Sequence, residues 1–238
     1  MKKILVLLCL LIPLKISAIS TSARSAILMD MDSGRIFYAK NINSQQSVAS
    51  ISKILTAVVA IDNGNLKNKV IIGNEIKKAY GSGIYIKEGE KLTLQDLLYG
   101  LMLRSGNDAA LAIANNVSKN TESFVKKMNE KAQELDMKNS LFRNPHGLDQ
   151  EDGGNISTAY DMAMIARGCY NNASFVSIDS TADAYVIPAT NMSAQRTIRH
   201  RHKMLKGRSY YYEYCKGGKT GYTDESQNTL VTFAEKDG

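Results

Sequence analysis

Strand patterns lie at both ends of this chain and enclose a block of helical periodicity, and that arrangement limits the folds open to it. Near the start, Ala26-Ile27-Leu28-Met29 reads as a buried strand. Asp32-Ser33-Gly34 is a turn signal, and Arg35 to Ala39 reads as the returning strand. Near the end, Tyr212 to Thr220 and Thr229 to Glu235 read as two further strands, and Ala184 to Ile187 as another. The segment 69–93 is rich in strand and turn signals, with Val70-Ile71-Ile72 and Ile84-Tyr85-Ile86 its apolar runs. Between the ends the apolar period changes to that of helices: Ile51, Ile54, Leu55, Val58 and Val59 up to a stop at Gly64, then Leu94, Leu97, Leu98, Leu101 and Met102 behind a Thr93/Asp96 capping box. Asp108 opens a segment from Ala109 to Asn115, Thr121 to Leu135 is amphipathic, and Thr158 to Cys169 is helical. The simplest solution is an α/β (α+β) domain: one antiparallel sheet built from both chain ends, with an inserted helical subdomain at about 93–175.

The first eighteen residues stand apart. Met1-Lys2-Lys3 is basic, Ile4 to Leu14 is apolar, and Lys15-Ile16-Ser17-Ala18 ends in a small residue. This predicts a signal peptide over residues 1–18, since the apolar run is short for a membrane span. Residues 19–238 are then the exported domain. The formal charge is +7, and residues 1–18 contribute three of those charges as lysines, with no acid to offset them. The remaining excess is modest and comes with no aromatic-basic platform, so no nucleic-acid partner is expected. Cys169 and Cys215 are the cysteines beyond residue 18; two do not make a disulfide framework, and whether they pair stays open. The chain ends on Asp237-Gly238, a hairpin-turn pair with no strand after it, which reads first as a truncation, with the last strand or strands missing, and otherwise as a frayed polar tail.

Three short motifs carry chemistry. Ser50 and Lys53 are one helical turn apart, so a lysine with a depressed pKa could take the serine proton. Alone this spacing is weak, because Ser123 and Lys126 share it in a helix that needs no catalysis. Ser105-Gly106-Asn107 is a polar turn between helices, but Ser118-Lys119-Asn120 and Ser226-Gln227-Asn228 have the same form. Lys219-Thr220-Gly221 occurs once, at the end of the expected strand, where two polar groups could hold an anion and glycine would let a substrate backbone approach. His146, His200 and His202 allow a zinc site or a Ser-His-Asp triad on paper; an Asn-Pro-His-Gly loop and a His-x-His strand face are the simpler readings.

In that order, Ser-x-x-Lys, Ser-x-Asn and Lys-Thr-Gly resemble the signature of penicillin-binding proteins and serine β-lactamases. The flanks "SVASISKILTAVVA", "LTLQDLLYGLMLRSGNDAALAIA", "NPHGLD", "STAYDMAMIAR" and "GGKTGYT" resemble the low-molecular-weight penicillin-binding proteins that are D-alanyl-D-alanine carboxypeptidases, peptidase family S11. Asn155 and Ile156 depart from the family, in which a histidine often precedes the serine of the Ser-Thr-Ala block.

The resemblance implies a β-lactamase/transpeptidase-like fold, with its last strand or strands and C-terminal helix expected to be missing here, and a serine D,D-carboxypeptidase. Ser50 would be the nucleophile, Lys53 its base, and Ser105 and Asn107 the proton relay and orienting amide. Lys219, Thr220, Gly221 and Tyr222 would bind substrate, with the N–H groups of Ser50 and Tyr222 as oxyanion hole. The partners would be the D-Ala-D-Ala end of a peptidoglycan stem peptide and β-lactam antibiotics, with no metal and no cofactor. The site of action would be outside the cytoplasmic membrane. Attachment to the membrane would come only through an uncleaved signal segment or a missing C-terminal anchor. A β-lactamase of the same fold and a truncated, inactive peptidoglycan-binding remnant are the alternatives. Transpeptidation ranks lower because the extra domains usual for it are absent.

Overall fold

The computed structural model describes residues 19–151 and 153–237, so the expected signal peptide at 1–18 lies outside the described residues. β1 (Ala26–Met29) and β2 (Ile36–Lys40) form an antiparallel ribbon. β3 (Gln46–Ser47) leads into a 3-10 turn, Ala49–Ser52, and then α1 (Lys53–Asn63). β4 (Lys69–Ile71) pairs with β5 (Lys91–Thr93), and β3 with β6 (Ile156–Ser157). Helices α2 (Leu94–Arg104), α3 (Asn107–Ser118) and α4 (Thr121–Glu134) follow in quick succession. α5 (Ala159–Tyr170) and α6 (Ala173–Asp179) complete the helical part. A β7 (Ala184–Ile187) and β8 (Arg196–Arg199) hairpin then leads to β9 (Cys215–Thr223) and β10 (Gln227–Ala234).

α1 runs through the centre. Every residue from Lys53 to Ala60 is buried, and α1 packs on α2, α3, α4, α5 and α6. Ile54, Leu55 and Val59 are fully enclosed, each worth about 1.5–3 kcal/mol of apolar burial. Thr93 and Asp96 form the expected capping box, which fixes where α2 begins, and Ser105, in the left-handed region, ends it.

The α/β class is as read from the sequence, with three local differences. The strands from the two chain ends form two separate ribbons, β1–β2 and β9–β10, and β1 and β10 both lie against α5 without pairing. Ile84–Ile86 is irregular where a strand was expected, because its three backbone N–H groups are taken by the Asp108 carboxylate instead of a neighbouring strand. Lys219-Thr220-Gly221 sits inside β9, which runs on to Thr223, because Gly221 to Thr223 pair with Thr229 to Gln227. α6 and β8 carry weak periodic signals and were not foreseen.

Candidate active site

Ser50 lies in the 3-10 turn ahead of α1, and the residue before it, Ala49, is held at φ 50°. That strained position is maintained from outside the turn. Ser52 Oγ donates to Ala49 O at 2.8 Å, and Gly147, at φ 82°, lies so close that an added β-carbon would stand 2.1 Å from Ala49 O. On the other side Thr229 Oγ1 donates to Val48 O at 3.0 Å. The Asn144–Leu148 loop and β10 therefore grip the turn from opposite sides.

Lys53 is the first residue of α1 and is 0% exposed. Its Nζ donates to Ser50 Oγ at 3.0 Å, to Asn107 Oδ1 at 2.8 Å and to the His146 carbonyl. Three oxygens surround the nitrogen, so the side chain has one position; as a neutral amine it donates to two of them and turns its lone pair to the Ser50 hydroxyl. Asn107 is held in turn: its Nδ2 donates to Tyr80 O at 2.6 Å and its backbone N–H to Ser82 O at 2.7 Å. Ser105 caps α2 in the left-handed region at φ 61° and accepts a hydrogen bond from Lys219 Nζ at 3.0 Å. Lys219 also donates to Thr220 O at 2.7 Å and is 2% exposed. A cleft of about 770 Å³ opens over Ser50, Ser105, Thr220, Gly221 and Tyr222, with Arg201, Lys203 and Tyr210 along another wall.

Two buried lysines lie in one cluster, and both are shifted. Burial, and next the charge on Lys219, push Lys53 well below the ordinary lysine range, with Arg201 adding to this and Asp108 opposing it. Burial and Arg201 bring Lys219 down to about 7, while Asp179 acts the other way. The result favours a neutral Lys53, an amine able to accept a proton from Ser50 Oγ, beside a Lys219 whose value near 7 leaves it part charged at neutral pH.

All eight residues singled out from sequence come together here. Other contributors were not foreseen. Asp108 accepts from the N–H groups of Ile84, Tyr85, Ile86 and Ala109, tying the 80–86 loop to the start of α3. An acid in the first turn of a helix was its only sequence signal. Arg201 reaches Ser82 Oγ at 2.8 Å from the segment after β8, and nothing local announces it. His146 contributes its carbonyl to Lys53, and its ring Nδ1 accepts the Leu148 N–H at 3.2 Å, which ends the case for a Ser-His-Asp triad. Burial, and then the charge of Lys53, take that ring down to about 3. Cys169 and Cys215 are both free.

Comparison with known proteins gives the family and the fold. The family model for D-alanyl-D-alanine carboxypeptidase, Peptidase S11, matches residues 13–238. The chain is 36% identical over 225 residues to D-alanyl-D-alanine carboxypeptidase DacF of Bacillus subtilis, covering 92% of this chain and 56% of that protein. It is 33% identical to DacB2 of Mycobacterium tuberculosis, covering 91% and 72%. Among solved structures, a D-alanyl-D-alanine carboxypeptidase from Mycobacterium tuberculosis H37Rv superposes with a TM-score of 0.84 at 32% identity, covering 91% of this chain and 79% of that one. A mutant of the Streptomyces K15 DD-transpeptidase gives 0.83 at 30%, covering 92% and 88%. This chain thus spans little more than half of the Bacillus relative and most of the Streptomyces one.

Proposed function

The chain belongs to the D-alanyl-D-alanine carboxypeptidase family, peptidase family S11, and from that premise we propose that residues 19–238 act as a serine D,D-carboxypeptidase on peptidoglycan stem peptides. The observation that carries the proposal is the contact between buried Lys53 Nζ and Ser50 Oγ at 3.0 Å, with the lysine pKa depressed. Neutral Lys53 removes the Ser50 hydroxyl proton as Oγ bonds to the carbonyl carbon between the two terminal D-alanines. The backbone N–H groups of Ser50 and Tyr222 receive the developing oxyanion. The carbon–nitrogen bond then breaks, and the proton passes from Lys53 through Ser105 to the leaving amine. Free D-alanine departs and the acyl group stays on Ser50. Asn107 holds Lys53 and the substrate amide in register. Lys219 and Thr220 receive the terminal carboxylate, and Gly221, lacking a β-carbon, lets β9 close on the Ser50 turn where the peptide is to lie. Water hydrolyses the ester in a second step. A β-lactam mimics the D-Ala-D-Ala unit and acylates the same oxygen.

Action on peptidoglycan places the protein outside the cytoplasmic membrane, in line with the signal-like residues 1–18. Among the described residues no helix is long and apolar enough to cross a membrane.

A second reading has its own support. A solved DD-transpeptidase of which this chain covers 88% removes the ground on which transpeptidation was ranked low, namely the lack of extra domains. The acyl-enzyme would be the same and only the acceptor would differ, an amine in place of water.

The test is intact mass of the purified protein after exposure to benzylpenicillin, alongside Ser50→Ala. A long-lived penicilloyl adduct that Ser50→Ala lacks supports the proposal, and rapid turnover of the adduct favours a β-lactamase. Absence of any adduct makes the chain a non-catalytic remnant. Product analysis with a D-Ala-D-Ala peptide, with and without an added amine, separates hydrolysis from transfer.

A further inference from the structure

Asp179 ends α6 and is 1% exposed, yet neither carboxylate oxygen has a hydrogen-bond partner among the described residues. His200 Nε2, also buried and also without a partner, lies 3.9 Å from Asp179 Oδ1. Buried polar groups are nearly always satisfied, and a buried carboxylate without donors is costly unless a cation offsets it. These atoms sit together in an otherwise well-bonded core, so the placement calls for a cause.

The cause lies in β9. Gly217 faces Asp179 so closely that an added β-carbon would stand 2.3 Å from Oδ2, and the carboxylate therefore occupies the space of the side chain that Gly217 lacks. Residues two apart on a strand project from the same face, so the face that Gly217 opens to Asp179 is the face of Lys219. Lys219 is buried and, among the described residues, donates only to two neutral oxygens, Ser105 Oγ and Thr220 O. A carboxylate without donors thus lies against the face of β9 that also carries Lys219, two residues along, with no ion pair within 4.0 Å between them among the described residues. His200 steadies the acid: its Nδ1 accepts the His202 N–H at 3.1 Å, which leaves the proton of the neutral ring on Nε2, toward Asp179. Closing that gap by about 1 Å makes it a hydrogen bond.

We propose that Asp179, steadied by His200, is the buried counter-charge of Lys219 and acts as a positioning residue for the cleft, keeping Lys219 an ammonium ready for an anionic group. The charge pairing stands on the geometry above; its use in receiving a substrate carboxylate rests on the function proposed for the site.

The other groups around the pair do not supply this charge. Cys169 and Tyr170 of α5 and Cys215 of β9 approach Asp179, and burial raises all three above their ordinary values, keeping them neutral. His202, brought down to about 4 first by burial, is neutral as well, and its Nε2 bonds Thr232 Oγ1 at 2.9 Å. Around Lys219 stand Lys53 of α1, Ser105 at the end of α2, and Arg201 and His202 after β8. Three of these are basic side chains and none is an acid. Asp108, the other acid near the lysines, acts on Lys53.

The decisive experiment follows the lysine itself. Protein carrying lysine labelled with carbon-13 at Cε is titrated by NMR, with the Lys219 signal assigned through Lys219→Arg. In Asp179→Asn the Lys219 midpoint is expected to fall by about one pH unit or more. Gly217→Ala displaces the carboxylate without removing it, and His200→Gln loosens it; both are expected to shift the midpoint in the same direction by less. These two variants decide the matter if Asp179→Asn does not fold. An unmoved midpoint in the folded variants overturns the proposal, because a merely structural role for Asp179 would lower stability without changing Lys219. The titration uses no substrate, so a protein that benzylpenicillin never acylates would fail the function proposed above and still answer this question. Where acylation does occur, the alkaline limb of its rate is expected to move down by the same interval in Asp179→Asn.

Discussion

Gly221 lies so close to Ser50 that a β-carbon added to it would stand 2.8 Å from the Ser50 backbone nitrogen and 2.4 Å from Thr229 Oγ1. The third motif is therefore in contact with the first, and β9 presses on the turn that carries the nucleophile. The expected result for Gly221→Ala is a fall of about 100-fold or more in the rate of acylation by benzylpenicillin, because moving the turn by an ångström misaligns Ser50. Overpacking there costs about 1–3 kcal/mol, so the variant should still fold. Stopped-flow acylation beside a thermal melt separates the two effects; an unchanged rate would show that the contact between β9 and the turn has no catalytic consequence.

Asn107 holds Lys53 with a neutral oxygen at 2.8 Å. Asn107→Asp puts a full negative charge in that place with little change of shape, and an anion so near favours the ammonium form of Lys53. The base is then protonated over more of the pH range. Acylation at pH 7 should drop by about 10- to 1,000-fold and recover as the pH is raised, the acid limb of the profile having moved upward. A loss that is the same at every pH would mean that Asn107 matters for geometry and not for the protonation of Lys53.

His146 gives a stability prediction. Its folded-state pKa is about 3, lowered first by burial and then by Lys53, against an ordinary histidine value of 6.5. The unfolded chain therefore binds a proton in a window where the folded protein does not. The stability this represents is complete above about pH 6.5 and is lost as the pH falls toward 3, at about 1.4 kcal/mol per pH unit within the window. Urea denaturation at pH 6.5 and at pH 5 should find wild type losing about 1–2 kcal/mol more than His146→Gln over that interval. Equal losses in the two proteins would show that this ring is not buried as described.

Much of the fold was legible because it rests on local rules. The Thr93–Asp96 box, the stop at Gly64 and the amphipathic face of Phe124, Met128 and Ala132 follow from spacing, and all three appear in the structure. Ile84–Ile86 misled because its apolar pattern suits a strand, while its hydrogen bonds run to a side chain more than twenty residues away. The joined sheet misled in another way: β1 and β10 each look like sheet strands, but whether two edges meet is a matter of their separation in space.

The site divides along the same line. Sequence alone determined which reactive groups are present, that Ser50 and Lys53 share a helical face, and that the three motifs occur in a recognisable order. Tertiary structure alone decided what those groups can do. Lys53 and Lys219 are 166 positions apart in sequence, yet Lys53 depends on Lys219, because a lysine's pKa is set by the water removed from around it and the charges within a few ångströms. Arg201, Asp108, Asp179 and the His146 carbonyl take part through that same field, which depends on distance in space and has no period along the chain.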